Sequence, residues 1–209
     1  MRVFVAGMGK FCGHARHGED QARTDPLMTA RPDLLRRLRD ETAVAHRRLE
    51  DELDLLSAGP GRFRAVLEGF HGFHRVWGPA MGTVIGERAR LAVLERDLQG
   101  FGLTAAQIAA LPRCHEASTL AQSPAGALGS FYVMEGSTLG GQVISRARGA
   151  AGLGYFNPYG GETGAMWRRF RSWLEAQAAP LDQAEIVAGA VATFEVLRRW
   201  LAPRAAAAA

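Results

Sequence analysis

Cysteine is nearly missing from this 209-residue chain: Cys12 and Cys114 are the only two and lie far apart. A disulfide framework is excluded, and a reducing cytoplasm is the expected setting. Lysine is scarcer still, with Lys10 alone and arginine everywhere else. The net charge of +4 is spread along the chain without a polybasic run, and aromatics do not interleave with the basic residues. That pattern argues against a nucleic-acid partner. No apolar run approaches the roughly 20 residues of a membrane span. Strand-type alternation is also absent, so the fold expected is all-α, a single multi-helical domain. The apolar share, 47%, is enough for a real core.

What is present is helical periodicity. Leu35, Leu38, Thr42, Ala45, Leu49, Leu53 and Leu56 recur three and four apart, which predicts a first amphipathic helix over 34–56 behind Pro32 and Asp33. A second is expected from Phe63 to about Ala80, a charged third from Glu87 to Leu98, and a short one capped by Thr104. Ser123-Pro124 opens a long helix to about Gly149, and the segment 152–164 is irregular. Two more helices follow, from Met166 to Ala178 and from a cap at Asp182. Residues 1–30 read as a disordered tail, 31–203 as the helical domain and 204–209 as a frayed alanine tail. Cys12, His14 and His17 in the first tail do not complete a four-ligand zinc site.

Two stretches carry candidate chemistry. His46 lies on the apolar face of the first helix, one turn after Thr42 and one turn before Glu50. It reads either as a satisfied core histidine or as a ligand whose second ring nitrogen is held by the Glu50 carboxylate. Arg39 is placed to reach a carboxylate lying beside the helix. The second stretch is the helix 128–145, which carries Gly136, Gly140 and Gly141. Each interior glycine costs about 0.5–1 kcal/mol relative to alanine. The return is either close helix–helix packing or a flat strip for a planar ligand. A histidine on one helix and a strip without side chains on another would suit an iron macrocycle ligated from one side and open on the other. His71 and His74 are held as core or surface histidines.

At these residues the chain resembles a heme oxygenase. Thr42-x3-His46-x3-Glu50 resembles the proximal motif, with Arg39 where the family often has a basic residue for a heme propionate. Tyr132-Val-Met-Glu-Gly136-Ser-Thr-Leu-Gly140-Gly-Gln142 resembles the distal motif, in the wording of the bacterial branch that includes enzymes accompanying bacteriophytochromes. Tyr159-Gly-x2-Thr163-Gly-x2-Trp167-x2-Phe170 resembles that branch too, and the likeness covers about residues 32–201. One position departs from many members: Ser137 stands where an aspartate holds a water molecule on the oxygen-binding side.

The resemblance implies heme as substrate and cofactor, cleaved with O2 to biliverdin, carbon monoxide and ferrous iron. It implies iron ligation by His46, seating by Thr42, Glu50 and Tyr132, and propionate pairing by Arg39 with Arg168 or Arg171. Gly136, Gly140 and Gly141 would lie close to bound oxygen, and Ser137 with water would supply protons. An acidic electron donor such as a ferredoxin or flavodoxin, and a bacteriophytochrome taking the biliverdin, are the implied partners. Three rivals stay open from sequence: a heme-binding or heme-sensing protein without turnover, a non-heme di-iron oxidase and a helical adaptor. For the di-iron oxidase, Glu68 and His71 give only one of the two required spacings.

Overall fold

Helix boundaries fall where side chains or turns satisfy the free backbone groups at the ends. The computed structural model describes residues 33–149 and 154–208, and within them seven α-helices and no strand. Helix α1, Leu34–Leu53, starts where the Asp33 carboxylate accepts the Leu35 N–H at 3.1 Å. It ends three residues before the predicted Leu56, because Asp54 turns left-handed (φ 42°) and gives its N–H to the Glu50 carbonyl. Helix α2, Pro60–Met81, has its proline in the first turn, where the missing N–H costs nothing.

Helix α3, Leu91–Gly100, starts four residues later than the expected Glu87. Gly86–Arg88 is a separate 3-10 turn, and Ala89 is extended (φ −64°, ψ 126°). This break lets Arg88 and Arg90 both turn inward, with Arg90 buried and Arg88 largely so. Helix α4, Ala105–Ala109, carries a capping box between Thr104 and Gln107. Helix α5, Pro124–Ala147, is capped by Ser123, which accepts the Gly126 N–H at 3.0 Å. Helix α6, Thr163–Ala178, starts three residues earlier than Met166, and helix α7, Gln183–Ala207, is capped by Asp182. The alanine tail expected to fray after Arg204 is helical to Ala207. Ala205 is 0% exposed, so packing overrides low complexity there. The expected tail over 1–30, with Cys12, His14 and His17, lies outside the described residues.

Helix α7 is the spine. α1, α2 and α5 all pack along it, whereas α1 and α5 scarcely touch one another. Between α5 and α7 the backbones meet directly. A Cβ on Gly129 would lie 2.1 Å from the Ile186 carbonyl oxygen, and one on Gly189 would lie 2.7 Å from the Gly126 Cα. Only glycine fits at both places. At the far end of α5, Arg148 lies 4.1 Å over the Phe63 ring and donates to the carbonyls of Leu55 and Ala58. It ties that end to the turn after α1. Among the described residues no helix is long and apolar enough to cross a membrane.

Candidate functional site

Because α1 and α5 flank α7 without closing on each other, a space of about 310 Å³ is left between them. That is at the lower end of volumes typical of small-molecule sites. α1 supplies His46, Leu49, Glu50 and Leu53; α5 supplies Val133, Met134, Ser137 and Ile144. Phe194 and Leu197 of α7 form the floor, and Tyr155 and Phe156 close one side. Exposed Asp51 and Asp54 mark the rim towards solvent.

On the α1 wall, His46 is 7% exposed and its ring lies 5.1 Å from that of Phe194, tilted by 44°. Burial, helped by the neighbouring Arg47 charge, lowers its pKa to about 4. At neutral pH it is therefore the free base, the form that binds a metal. One turn earlier, Thr42 is buried and donates to the Leu38 carbonyl at 2.6 Å. Its hydroxyl is used within the helix. Glu50, half-buried one turn after His46, lines the same cavity.

The α5 wall rests on a buried ionic cluster. Glu135 is 1% exposed and pairs with Arg88; the Tyr159 hydroxyl donates to its two oxygens at 3.0 and 3.2 Å. Burial, and next the Glu135 charge, push the Tyr159 phenol up to about 12. Arg90, 4% exposed, lies 3.8 Å from Glu135 and donates to the Ser137 hydroxyl at 3.3 Å and to the Met134 carbonyl. Its guanidinium sits 5.7 Å over the Tyr155 ring, and His74 Nε2 is 3.0 Å from the Tyr155 hydroxyl. Burial, then Arg90, hold the His74 pKa well below the usual imidazole value. Asp97 accepts the backbone N–H groups of Gly154 and Tyr155 at 3.1 and 2.8 Å, fixing the loop that carries Tyr155.

The structure brings His46, Glu50 and Ser137 onto one cavity. Gly136, Gly140 and Gly141 are not among the residues that line that cavity. A Cβ on Gly141 would lie 2.1 Å from the Phe156 carbonyl oxygen, so this glycine admits the backbone of the 154–162 loop. At Gly136 a Cβ would sit 3.9 Å from Trp167, an ordinary contact, and Gly140 is buried. Tyr132 also lies outside the lining. Its hydroxyl is buried without a hydrogen-bond partner, and the charges of Arg39 and Asp40 act on it. Arg39 is exposed beside Asp40, while Arg168 and Arg171 are exposed on α6 and do not line the cavity.

Sequence reasoning missed Arg88, Arg90, Tyr155 and His74 as parts of the site. Glu135 alone gave a signal, as an acid inside an apolar helix. His71, left between core and surface, is core, with its Nε2 3.3 Å from Glu95, while Glu68 pairs with Arg64. Among the described residues no three His, Cys, Asp or Glu side chains form a metal-binding group, which leaves the di-iron reading without a ligand set there.

Comparison with known proteins agrees with the geometry. The heme oxygenase family model matches residues 32–203. A heme oxygenase from Xanthomonas campestris pv. campestris (strain 8004) is 31% identical over 154 residues, covering 69% of this chain and 87% of that protein. The solved structure of heme oxygenase from Leptospira interrogans superposes with a TM-score of 0.68 at 15% identity, covering 82% of this chain and 99% of that one, a likeness of fold. A buried free-base histidine facing a glycine-bearing helix across a cavity is thus found in a chain that belongs to the heme oxygenase family.

Proposed function

We propose that the cavity between α1 and α5 takes heme, with His46 on the iron, and that the ring is opened to biliverdin, carbon monoxide and ferrous iron. The observation that carries this reading is the buried free-base imidazole on one wall of a mostly apolar cavity whose other wall offers Val133, Met134, Ile144 and the Ser137 hydroxyl. The residues present fit the group. The lining is mostly apolar, the ligand is already deprotonated, and the unpartnered Tyr132 hydroxyl with nearby Arg39 suits the carboxylates of a propionate edge.

Bound heme supplies the iron that activates oxygen and is also the molecule consumed. This chain's residues do the rest. His46 holds the iron from the α1 side, and Glu50 holds the other ring nitrogen. Phe194 packs against the imidazole and fixes its tilt. Val133, Met134, Ile144 and Phe156 exclude bulk water. The basic balance of the chain favours an acidic electron donor such as a ferredoxin or flavodoxin. A cytoplasmic setting and delivery of the product to a bacteriophytochrome complete the proposal.

The test is optical. Hemin added to the purified protein should give a histidine-ligated spectrum, which decays to a biliverdin band when reductant and O2 are supplied with catalase present. A stable complex without decay would leave binding and remove the chemistry. Absence of heme binding would overturn the proposal.

A further inference from the structure

A serine hydroxyl has one hydrogen to give and two lone pairs to share. In Ser137 the hydrogen is committed to the Met134 carbonyl at 2.7 Å. One lone pair is taken by Arg90 Nη1 at 3.3 Å, and Nη2 of the same guanidinium donates to the same Met134 carbonyl. The three groups therefore close a small ring of hydrogen bonds, and the hydroxyl has no freedom to turn its hydrogen outward without losing a bond. What remains is one lone pair on an atom of the cavity wall, with the guanidinium itself also part of that wall.

Arg90 is held from every side. Glu135 faces it at 3.8 Å and is shared with Arg88 and the Tyr159 hydroxyl. The Tyr155 ring lies against it, with His74 behind that ring and Asp97 fixing the Tyr155 backbone. A guanidinium keeps its charge and all its donors throughout the accessible pH range.

We propose that Arg90 is a positioning residue that locks Ser137, so that the hydroxyl meets the cavity only as a hydrogen-bond acceptor. On this basis the Ser137 hydroxyl takes a hydrogen bond from a donor such as water and gives none of its own, and the earlier expectation that Ser137 itself releases a proton is replaced. An ionised aspartate is likewise acceptor-only. The locked serine keeps the hydrogen-bonding sense of the aspartate found in many relatives while dropping its negative charge. The inference rests on the heme reading above.

The probe is carbon monoxide on the dithionite-reduced, heme-loaded protein, read by the infrared C–O stretch. A lone pair facing the ligand oxygen raises that frequency, and a hydrogen-bond donor or positive charge lowers it. Ser137→Ala is expected to lower the stretch, since the facing lone pair is lost and the Arg90 N–H is released. In an Arg90→Gln background the same substitution should produce a smaller shift, because the hydroxyl is no longer locked. An increase on Ser137→Ala would show a donating hydroxyl and overturn the proposal; no change would overturn it as well. Equal shifts in both backgrounds would remove the role of Arg90. Circular dichroism of the heme-free variants checks that the helices are intact, and Ser137→Ala carries the test if Arg90→Gln does not fold. Failure of the parent protein to bind heme would instead overturn the functional reading and this inference together.

Discussion

The two walls of the cavity are built on opposite principles. On α1 the key group, His46, is stripped of charge by burial and packed against one ring. On α5 the cavity meets one hydroxyl, backed by the buried ionic cluster of Glu135, Arg88 and Arg90. The first wall obtains its chemistry from removing water, the second from arranging charges. They should therefore fail differently: α1 substitutions change what is bound, and α5 substitutions change whether the wall stands.

The largest effect is expected at His46. His46→Ala should abolish the histidine-ligated heme spectrum while circular dichroism of the heme-free protein stays helical. A retained histidine-ligated spectrum would move the ligand elsewhere and dissolve the contrast between the walls.

Next comes Glu135→Leu, which leaves two guanidinium groups in a buried place without their acid. Breaking such a pair costs about 3–5 kcal/mol, read as a drop in the urea midpoint. A change under about 1 kcal/mol would mean that the cluster behaves like a surface ion pair.

Smaller again is a matched pair in the glycine helix. Gly141→Ala must push the Phe156 carbonyl away and should cost about 1–3 kcal/mol, whereas Gly136→Ala meets only Trp167 at 3.9 Å and should be tolerated. Equal costs would show that the two glycines serve the same purpose.

The gentlest lever is pH. The folded His46 has a pKa of about 4 against an ordinary 6.5, so the unfolded chain binds the extra proton first. Stability of the heme-free protein is then complete above about 6.5 and falls as pH drops towards 4, with His74 and His71 acting in the same direction. Urea unfolding at pH 7 and pH 5 should show the loss, and His46→Gln should reduce it.

The same contrast decides what could be read from the sequence. The α1 wall was legible because Thr42, His46 and Glu50 are successive turns of one helix, and helical spacing is a local property. The helices themselves were legible for the same reason, with errors at their ends. Asp54 took a left-handed turn and Ala89 an extended one, and neither residue type demands it. The backing of the α5 wall was not legible, since Arg90 meets Ser137 and Arg88 meets Glu135 across 47 residues of chain. In a chain rich in arginine, nothing marks Arg88 and Arg90 as the inward pair. The glycine stretch was seen, but its purpose was divided. Gly141 admits a loop, and Gly129 and Gly189, which carried no signal, hold α5 against α7.

That last contact makes α5 a lever. Gly126 and Gly129 press on α7 as a fulcrum, and Ser137 lies eight residues beyond Gly129, about 12 Å along the axis at 1.5 Å per residue. A tilt of about 5° at the fulcrum moves Ser137 by about 1 Å, as much as separates a good hydrogen bond from none. A bulkier residue where the two backbones touch, far from any bound molecule, would thus detune the cavity wall by leverage.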